Sequence, residues 1–358
     1  NWAVYHRGAD GSAPEDKYLI LNTDAAVADS ANWWNDTAPT TSVFTVGTDH
    51  AVNASGENYV AYIFAHETGS DSMIQCGSYI GNGNNTGPSI DLGWEPQWLL
   101  LQNITDGDAV MMFDTMRGFD YDGDDVVLLA DTSDGETNDY SGQGFSTIVP
   151  TSTGFNVVKS IGYVNNNNSR MIYVAIRRPN MATITDATKV FAVAARTGTD
   201  ASGASSAFVS GFPVDFGFAT RTTGTPKYAS ARLIQTRELR LNGSNAEGGG
   251  SSYTFDSNSG MWGQTSALSD QYGYMWKRAK GYFDVVAYTG TGSAKTEAHG
   301  LGVAPEMMWV KNRGVADPWA VYYGDNTDYL VLNTDAATVD SANWWNDTSP
   351  TSSVFTVG

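Results

Sequence analysis

The sequence predicts an all-β fold made of tandem antiparallel β-sandwich modules. Three observations predict it. A long segment recurs near both ends of the 358 residues, the apolar runs are short and rich in β-branched and aromatic residues, and Gly, Asn, Asp and Pro punctuate them at turn-like intervals.

The recurrence governs the rest. SANWWNDT at residues 30–37 returns letter for letter at residues 341–348. At an offset of 311, residues 18–47 match residues 329–358 with 25 of 30 positions identical. Upstream, WAVY at residues 2–5 recurs at 319–322, with six extra residues in the loop that follows the first copy. Residue 1 aligns with Pro318 and Gly358 with Gly47, so each end copy is expected to hold part of a module. Two readings follow. The chain is a window on a longer repetitive polypeptide, or a subunit whose incomplete ends complete one another between neighbours.

Weaker echoes divide the middle. Tyr-x-Gly-x-Gly occurs at Tyr79 and at Tyr288, followed by Gly, Pro and an apolar run at Gly93–Pro96 and Gly302–Pro305. A looser version is Gly211, Phe212 and Pro213. A closing pattern, Val-Asn before an apolar run, occurs at Val52 and at Val164, and Tyr272 to Trp276 fills the same slot. These place boundaries near 72, 180 and 281. Residues 1–72 are then the C-terminal part of a module, 73–180 and 181–281 are complete modules, and 282–358 is the N-terminal part of a module that repeats 1–47. Units of about 100 residues are an ordinary domain size.

Within a module, NYVAYIFA, QWLLLQ, MIYVAI and YFDVVAY read as strands, several of them apolar on both faces and so covered on both sides. Residues 24–32, DAAVADSAN, could form one or two helical turns, too few to organise a layer. Short strands with turn punctuation favour a two-sheet sandwich of jelly-roll type. Propeller blades of about 40 to 45 residues do not fit the spacing.

Lys plus Arg total 20 against 39 Asp plus Glu, a formal charge of −19, which excludes a nucleic-acid partner because a phosphate backbone needs a basic face. No apolar run of about 18 residues is present, so no membrane insertion is expected. No signal peptide opens the sequence, and it does not begin with Met, as expected of a piece of something longer. The single Cys76 excludes an internal disulfide and reads as a small buried residue.

Several residues could carry chemistry. His6, His50, His66 and His299 show no metal-ligand spacing and read as surface or turn residues. No Gly-x-Ser-x-Gly elbow is present, and no catalytic residue is assigned. FDYDGDD sets Asp120, Asp122, Asp124 and Asp125 around a glycine. That pattern is either a solvated acidic hairpin or a Ca²⁺ site; position 131 is Asp, where an EF-hand loop would carry Glu. No cofactor other than that Ca²⁺ is implied. Asp114 and Arg117 are expected to form an ion pair tying a strand to its loop. Trp33 and Trp34, and their copies Trp344 and Trp345, are expected to diverge, one indole plugging the core and the other lying outward for packing or sugar stacking.

WKRAKGYFDVVAYTGTG at residues 276–292 resembles a junction in long, repetitive bacteriophage tail-fibre-like virion structural proteins. GLGVAPE at 300–306, the WWNDT segments and DTMRG at 114–118 share the resemblance, which spans nearly the whole chain. It implies concanavalin-like sandwiches strung along a fibre or appendage, at the virion surface or otherwise extracellular. It also implies a structural or host-attachment role, with copies of itself, other virion structural proteins or a host cell-surface glycan as partners. The third unit departs from the pattern, with Gln235, Thr236, Arg237 and Glu238 where Asp-Thr-x-Arg-Gly is expected. The alternatives are the carbohydrate-binding module of a glycan-active enzyme, and a bacterial extracellular adhesin or filament subunit.

Overall fold

Short β-branched and aromatic runs are stable as strands when a backbone edge and one apolar face find partners. In the computed structural model almost all regular structure is antiparallel sheet, with single helical turns between strands. The structure describes residues 2–69, 72–117, 119, 126–138, 147–178, 184–196, 208–221, 227–234, 237–249, 255, 261–262 and 271–358. The protein is all-β and built of sandwich modules. It divides into two units, Asn1–Pro179 and Asn180–Gly358, and the expected boundaries near 72 and 281 fall inside them.

The first unit begins with β1 (Ala3–Val4), β2 (Lys17–Ile20) and β3 (Ala28–Asp29), a three-stranded sheet in that order. The helical turn α1 (Ala31–Trp34) follows, then α2 (His50–Asn53). Regular structure therefore differs from the expected helix at 24–32, because Ala28 and Asp29 pair with Tyr18 and Lys17 and leave the turn to start one residue after Ser30 opens it.

Next come β4 (Ile74–Ile80), β5 (Ser89–Asp91), β6 (Pro96–Asn103), β7 (Met111–Asp114), β8 (Val126–Leu129), β9 (Thr137–Asn138), β10 (Ile148–Thr151), β11 (Gly154–Val157), the turn α3 (Gly162–Asn165) and β12 (Arg170–Arg177). One sheet runs β4-β12-β6-β7-β8-β9 and the other β10-β11-β5. Strand alternation sends Leu99 and Leu101 of β6, and Met171 and Ala175 of β12, to one face, where they are fully buried with Phe113 and Phe155. Gly77 sits opposite Tyr173, and a Cβ there would lie 2.4 Å from the Tyr173 hydroxyl. The N-terminal sheet belongs to a second cluster, Ala9 and Leu19 with Ile104 and Ile172.

The second unit repeats this plan. Its strands are β13 (Phe191–Arg196), β14 (Phe208–Val209), β15 (Phe216–Arg221), β16 (Tyr228–Ala231), β17 (Arg237–Arg240), β18 (Gly248–Gly249), β19 (Met261–Trp262) and β20 (Gln271–Trp276). The sheet order β13-β20-β15-β16-β17-β18 reproduces β4-β12-β6-β7-β8-β9 position for position, and β14 pairs β19. The inner face buries Phe208, Phe255, Trp262 and Met275. The outer face buries Ala229, Leu239 and Leu241 against Trp319 from the following segment.

That segment holds β21 (Lys295–Ala298), β22 (Met307–Val310), β23 (Ala320–Tyr323), β24 (Asp328–Val331), β25 (Val339–Asp340), the turn α4 (Ala342–Trp345) and β26 (Val354–Val357). The sheet β22-β23-β24-β25 carries the strands that repeat β1-β2-β3, and β21 pairs β26.

Two expected strands are absent. Residues 59–65 carry no ladder, and residues 282–288 show only a bridge from Phe283 to Ala279. Both have strand composition, but composition alone does not make a strand. Among the described residues no helix is long and apolar enough to cross a membrane.

Candidate functional site

The double tryptophan is built by its flanking residues. Ser30 is extended and its hydroxyl accepts the Asn32 N–H, capping the turn. Asn35 and Asp36 both take left-handed backbone angles (φ 54° and 44°), and the Asn35 N–H returns to Ala31 to stop the turn. Ser341, Asn346 and Asp347 repeat every feature. Gly47 then passes so close that a Cβ would lie 2.2 Å from the Asn32 carbonyl oxygen. SANWWNDT is thus a self-contained corner, which explains why its letters travel as a block.

The corner turns its indoles inward. Trp33 stacks on Tyr18 (centroids 4.0 Å apart, planes 7° from parallel), and Trp34 meets Tyr5 edge-on at 6.2 Å. Trp34 also donates its indole N–H to the Lys17 carbonyl at 3.0 Å. Both are buried, which corrects the expectation that one would point outward. The side chains do diverge, but the hairpin covers one and Tyr5 the other. In the second copy Trp345 is buried, and Trp344 stacks on Tyr329 (4.4 Å) and is half-buried.

Asp114 and Arg117 form an ion pair, and the other carboxylate oxygen of Asp114 accepts the N–H groups of Met116 and Arg117. The pair fastens the end of β7 to its loop. Asp120, Asp122, Asp124 and Asp125 lie outside the described residues, and among the described residues no cluster of three or more His, Cys, Asp or Glu could hold a metal ion. His6 is buried, contrary to the surface reading; its Nδ1 accepts the Gly8 N–H, so its Nε2 donates to the Tyr173 carbonyl at 3.0 Å. Burial lowers its pKa to about 4 and keeps the ring neutral. Cys76 is buried on β4, and burial raises its thiol pKa to about 11.

A solvent-open groove of about 820 Å³ lies in the second unit. Phe218 of β15 and Tyr274 of β20, which stack at 4.7 Å, line it together with Trp309 of β22, 39% exposed. Lys227, Asn242 and Asp335 add polar groups to the lining. Asn242 is held by accepting the Lys227 N–H (3.0 Å). Aromatic faces with adjacent amide and carboxylate groups suit a flat ligand with one apolar and one hydroxylated side. The sequence reading missed this site. Its one visible signal was Trp309, a large aromatic at the outward position of MMWV.

Comparison with known proteins gives one family. No curated protein and no solved structure matches the chain. Residues 1–179 and 277–358 match the family described as "Domain of unknown function (DUF7483)". The match omits the stretch in which the third unit departs from the motif pattern. The chain belongs to the DUF7483 family.

Proposed function

We propose that the chain is a non-catalytic, repeat-built structural protein of an extracellular fibre or phage virion appendage, with the Trp309 groove as its glycan contact. The observation that carries this reading is the six-strand order shared by β4-β12-β6-β7-β8-β9 and β13-β20-β15-β16-β17-β18. Modules of one plan, each with its own buried core, suit serial display. The resemblance of the junction and corner motifs to tail-fibre-like proteins supports the virion setting and the concanavalin-like type of sandwich. Its partners are then copies of itself, other virion structural proteins and a host-surface glycan.

Chemistry at the groove favours binding over cleavage. Glycoside hydrolysis uses two carboxylates about 5 to 9.5 Å apart. Among the described residues lining the groove, Asp335 is the one carboxylate. Trp309 is too exposed for its truncation to open a core cavity, so Trp309→Ala separates binding from folding.

A glycan array with the purified chain tests the reading, followed by titration of any hit against Trp309→Ala. The expected outcome is retention of at least one polysaccharide class and a tenfold or greater loss of affinity in the variant, with unfolding unchanged. Shortening of the glycan chain during incubation would overturn the non-catalytic part. Antibody labelling of intact particles that fails to mark any appendage would overturn the virion setting.

A further inference from the structure

One turn is built the same way four times in this chain. A side chain in it reaches back to the backbone N–H just ahead of the preceding strand. Asn22 Oδ1 accepts the Trp2 N–H (3.0 Å), Asp131 that of Val110 (3.0 Å), Asn242 that of Lys227 (3.0 Å) and Asn333 that of Trp319 (3.3 Å). The residue before each of them returns its own N–H to the carbonyl of the same partner. Together the two bonds clamp a hairpin shut.

The third copy departs from the other three at the next position. Thr23, Thr132 and Thr334 follow the clamp residue elsewhere, whereas Gly243 follows Asn242. The Thr23 and Thr334 N–H groups donate to the Ile20 and Val331 carbonyls, at 3.2 and 3.3 Å. The equivalent acceptor for Gly243 is the Arg240 carbonyl, which takes the Trp319 indole N–H instead, at 2.8 Å. Among the described residues the Gly243 N–H has no hydrogen-bond partner, and neither has Asn242 Nδ2. Asn242 is also exposed.

We infer that Asn242 is a self-modification site, converting to aspartate or isoaspartate through a cyclic imide. The Gly243 nitrogen, losing its proton to hydroxide, attacks the Asn242 side-chain carbonyl carbon. The bond from that carbon to Nδ2 breaks, and ammonia leaves with a proton from water. Water then adds to either carbonyl of the imide and reopens the ring. One water is consumed, one ammonia is released, and nothing is oxidised or reduced. Asparagine is among the thermolabile residues, and a glycine after it puts no Cβ in the way of ring closure. The Lys227 N–H on Oδ1 faces the oxygen on which negative charge develops during the attack.

The chain carries its own control. Its other Asn-Gly pair is Asn82 and Gly83. There the Gly83 N–H donates to the Asn165 carbonyl (3.2 Å), and Asn82 Nδ2 donates to the Thr86 carbonyl (2.9 Å). Asn82 Oδ1 accepts from the Asn84 N–H and from Asn165 Nδ2. Attack at Asn82 must first break these bonds, so the fold protects that pair and leaves the other open. The aspartate product is compatible with the turn, because Asp131 holds the same clamp with a carboxylate. Asn242 and Asp335 both line the groove, so conversion gives the lining a second carboxylate. The inference rests on turn geometry and stands whether or not the groove binds glycan.

Ageing the unmodified chain at pH 8, followed by proteolysis and peptide mass mapping, tests it. The expected result is a gain of about one dalton in the peptide that holds Asn242, appearing at least tenfold faster than in the peptide that holds Asn82. In urea the two should convert at comparable rates. Gly243→Thr, which restores the residue of the other copies, should slow conversion at Asn242 at least tenfold. The added Cβ meets only side-chain atoms, of Asn245 (2.9 Å) and Arg240 (3.0 Å), which can shift. Equal conversion of both asparagines in the folded chain would overturn the inference. So would an intact Asn242 after a period in which the urea-unfolded chain converts, or a Gly243→Thr variant that converts equally fast.

Discussion

Trp345 donates its indole N–H to the backbone carbonyl of Asp328 at 3.1 Å, tying the helical corner to the first residue of β24. Trp34 ties its corner to Lys17, the first residue of β2, in the same way. Trp345→Phe keeps most of the ring but orphans the bond, and should cost about 1 kcal/mol. Trp345→Ala adds a cavity and should cost about 3–5 kcal/mol. Urea unfolding of the second unit, followed by fluorescence, checks both values.

His6 gives the first unit a pH dependence of definite sign. Burial, with Arg7 and His66 nearby, lowers its pKa from 6.5 to about 4. Above pH 6.5 folded and unfolded states are both neutral at this group, and it contributes no slope. As pH falls from 6.5 to 4 the unfolded chain takes up the proton first, so stability declines by roughly 3 kcal/mol and then levels off. A series of unfolding curves between pH 4 and 7 should show this decline, and His6→Gln should flatten it.

Cys76 should be chemically silent in the folded protein. Its thiol pKa, raised to about 11, leaves very little thiolate at pH 8, and the side chain is buried beside the Ala65 carbonyl. Labelling by a chromogenic disulfide reagent at pH 8 should be at least a hundredfold slower than in urea. Fast labelling under native conditions would show that β4 opens readily.

Arg232 and Asp215 form a buried ion pair in the second unit, 4% and 5% exposed. The guanidinium also donates to the Val214 and Phe255 carbonyls (2.6 Å each), and Asp215 accepts the Arg278 N–H at 2.7 Å. Asp215→Ala leaves a buried cation and an orphaned N–H, and should destabilise the unit by about 3–5 kcal/mol. Asp215→Asn combined with Arg232→Met keeps an acceptor for Arg278 and removes the cation, so it should recover most of that loss. Comparing denaturant midpoints of the two variants decides it.

The parts of the fold legible in the sequence are those set by local pattern. The composition of QWLLLQ marks a strand, and the repeated letters around Trp33 and Trp344 encode a corner whose cap and left-handed residues are all local. What was not legible depends on partners far along the chain. The inward packing of both Trp33 and Trp34 needs Tyr18 and Tyr5. The burial of His6 needs a carbonyl 167 residues away, and the groove joins Phe218, Tyr274 and Trp309 from three separate strands. The absence of strands at 59–65 and 282–288 has the same origin, since residue type states a willingness to pair and not the presence of a mate.

The reciprocal fit of side chains across the β4–β12 ladder, and between β20 and β14, limits how these modules can be recombined. Gly77 is small because Tyr173 is large, and Gly273 is small because Phe208 presses on it, with a Cβ there 2.6 Å from the Phe208 ring. Ala194 occupies in β13 the slot that Gly77 occupies in β4. Grafting β13 in place of β4 would drive the Ala194 methyl into Tyr173, whereas exchanging the whole sandwich carries both halves of the fit together. Shuffling of such proteins should therefore tolerate crossovers between modules and reject crossovers within them.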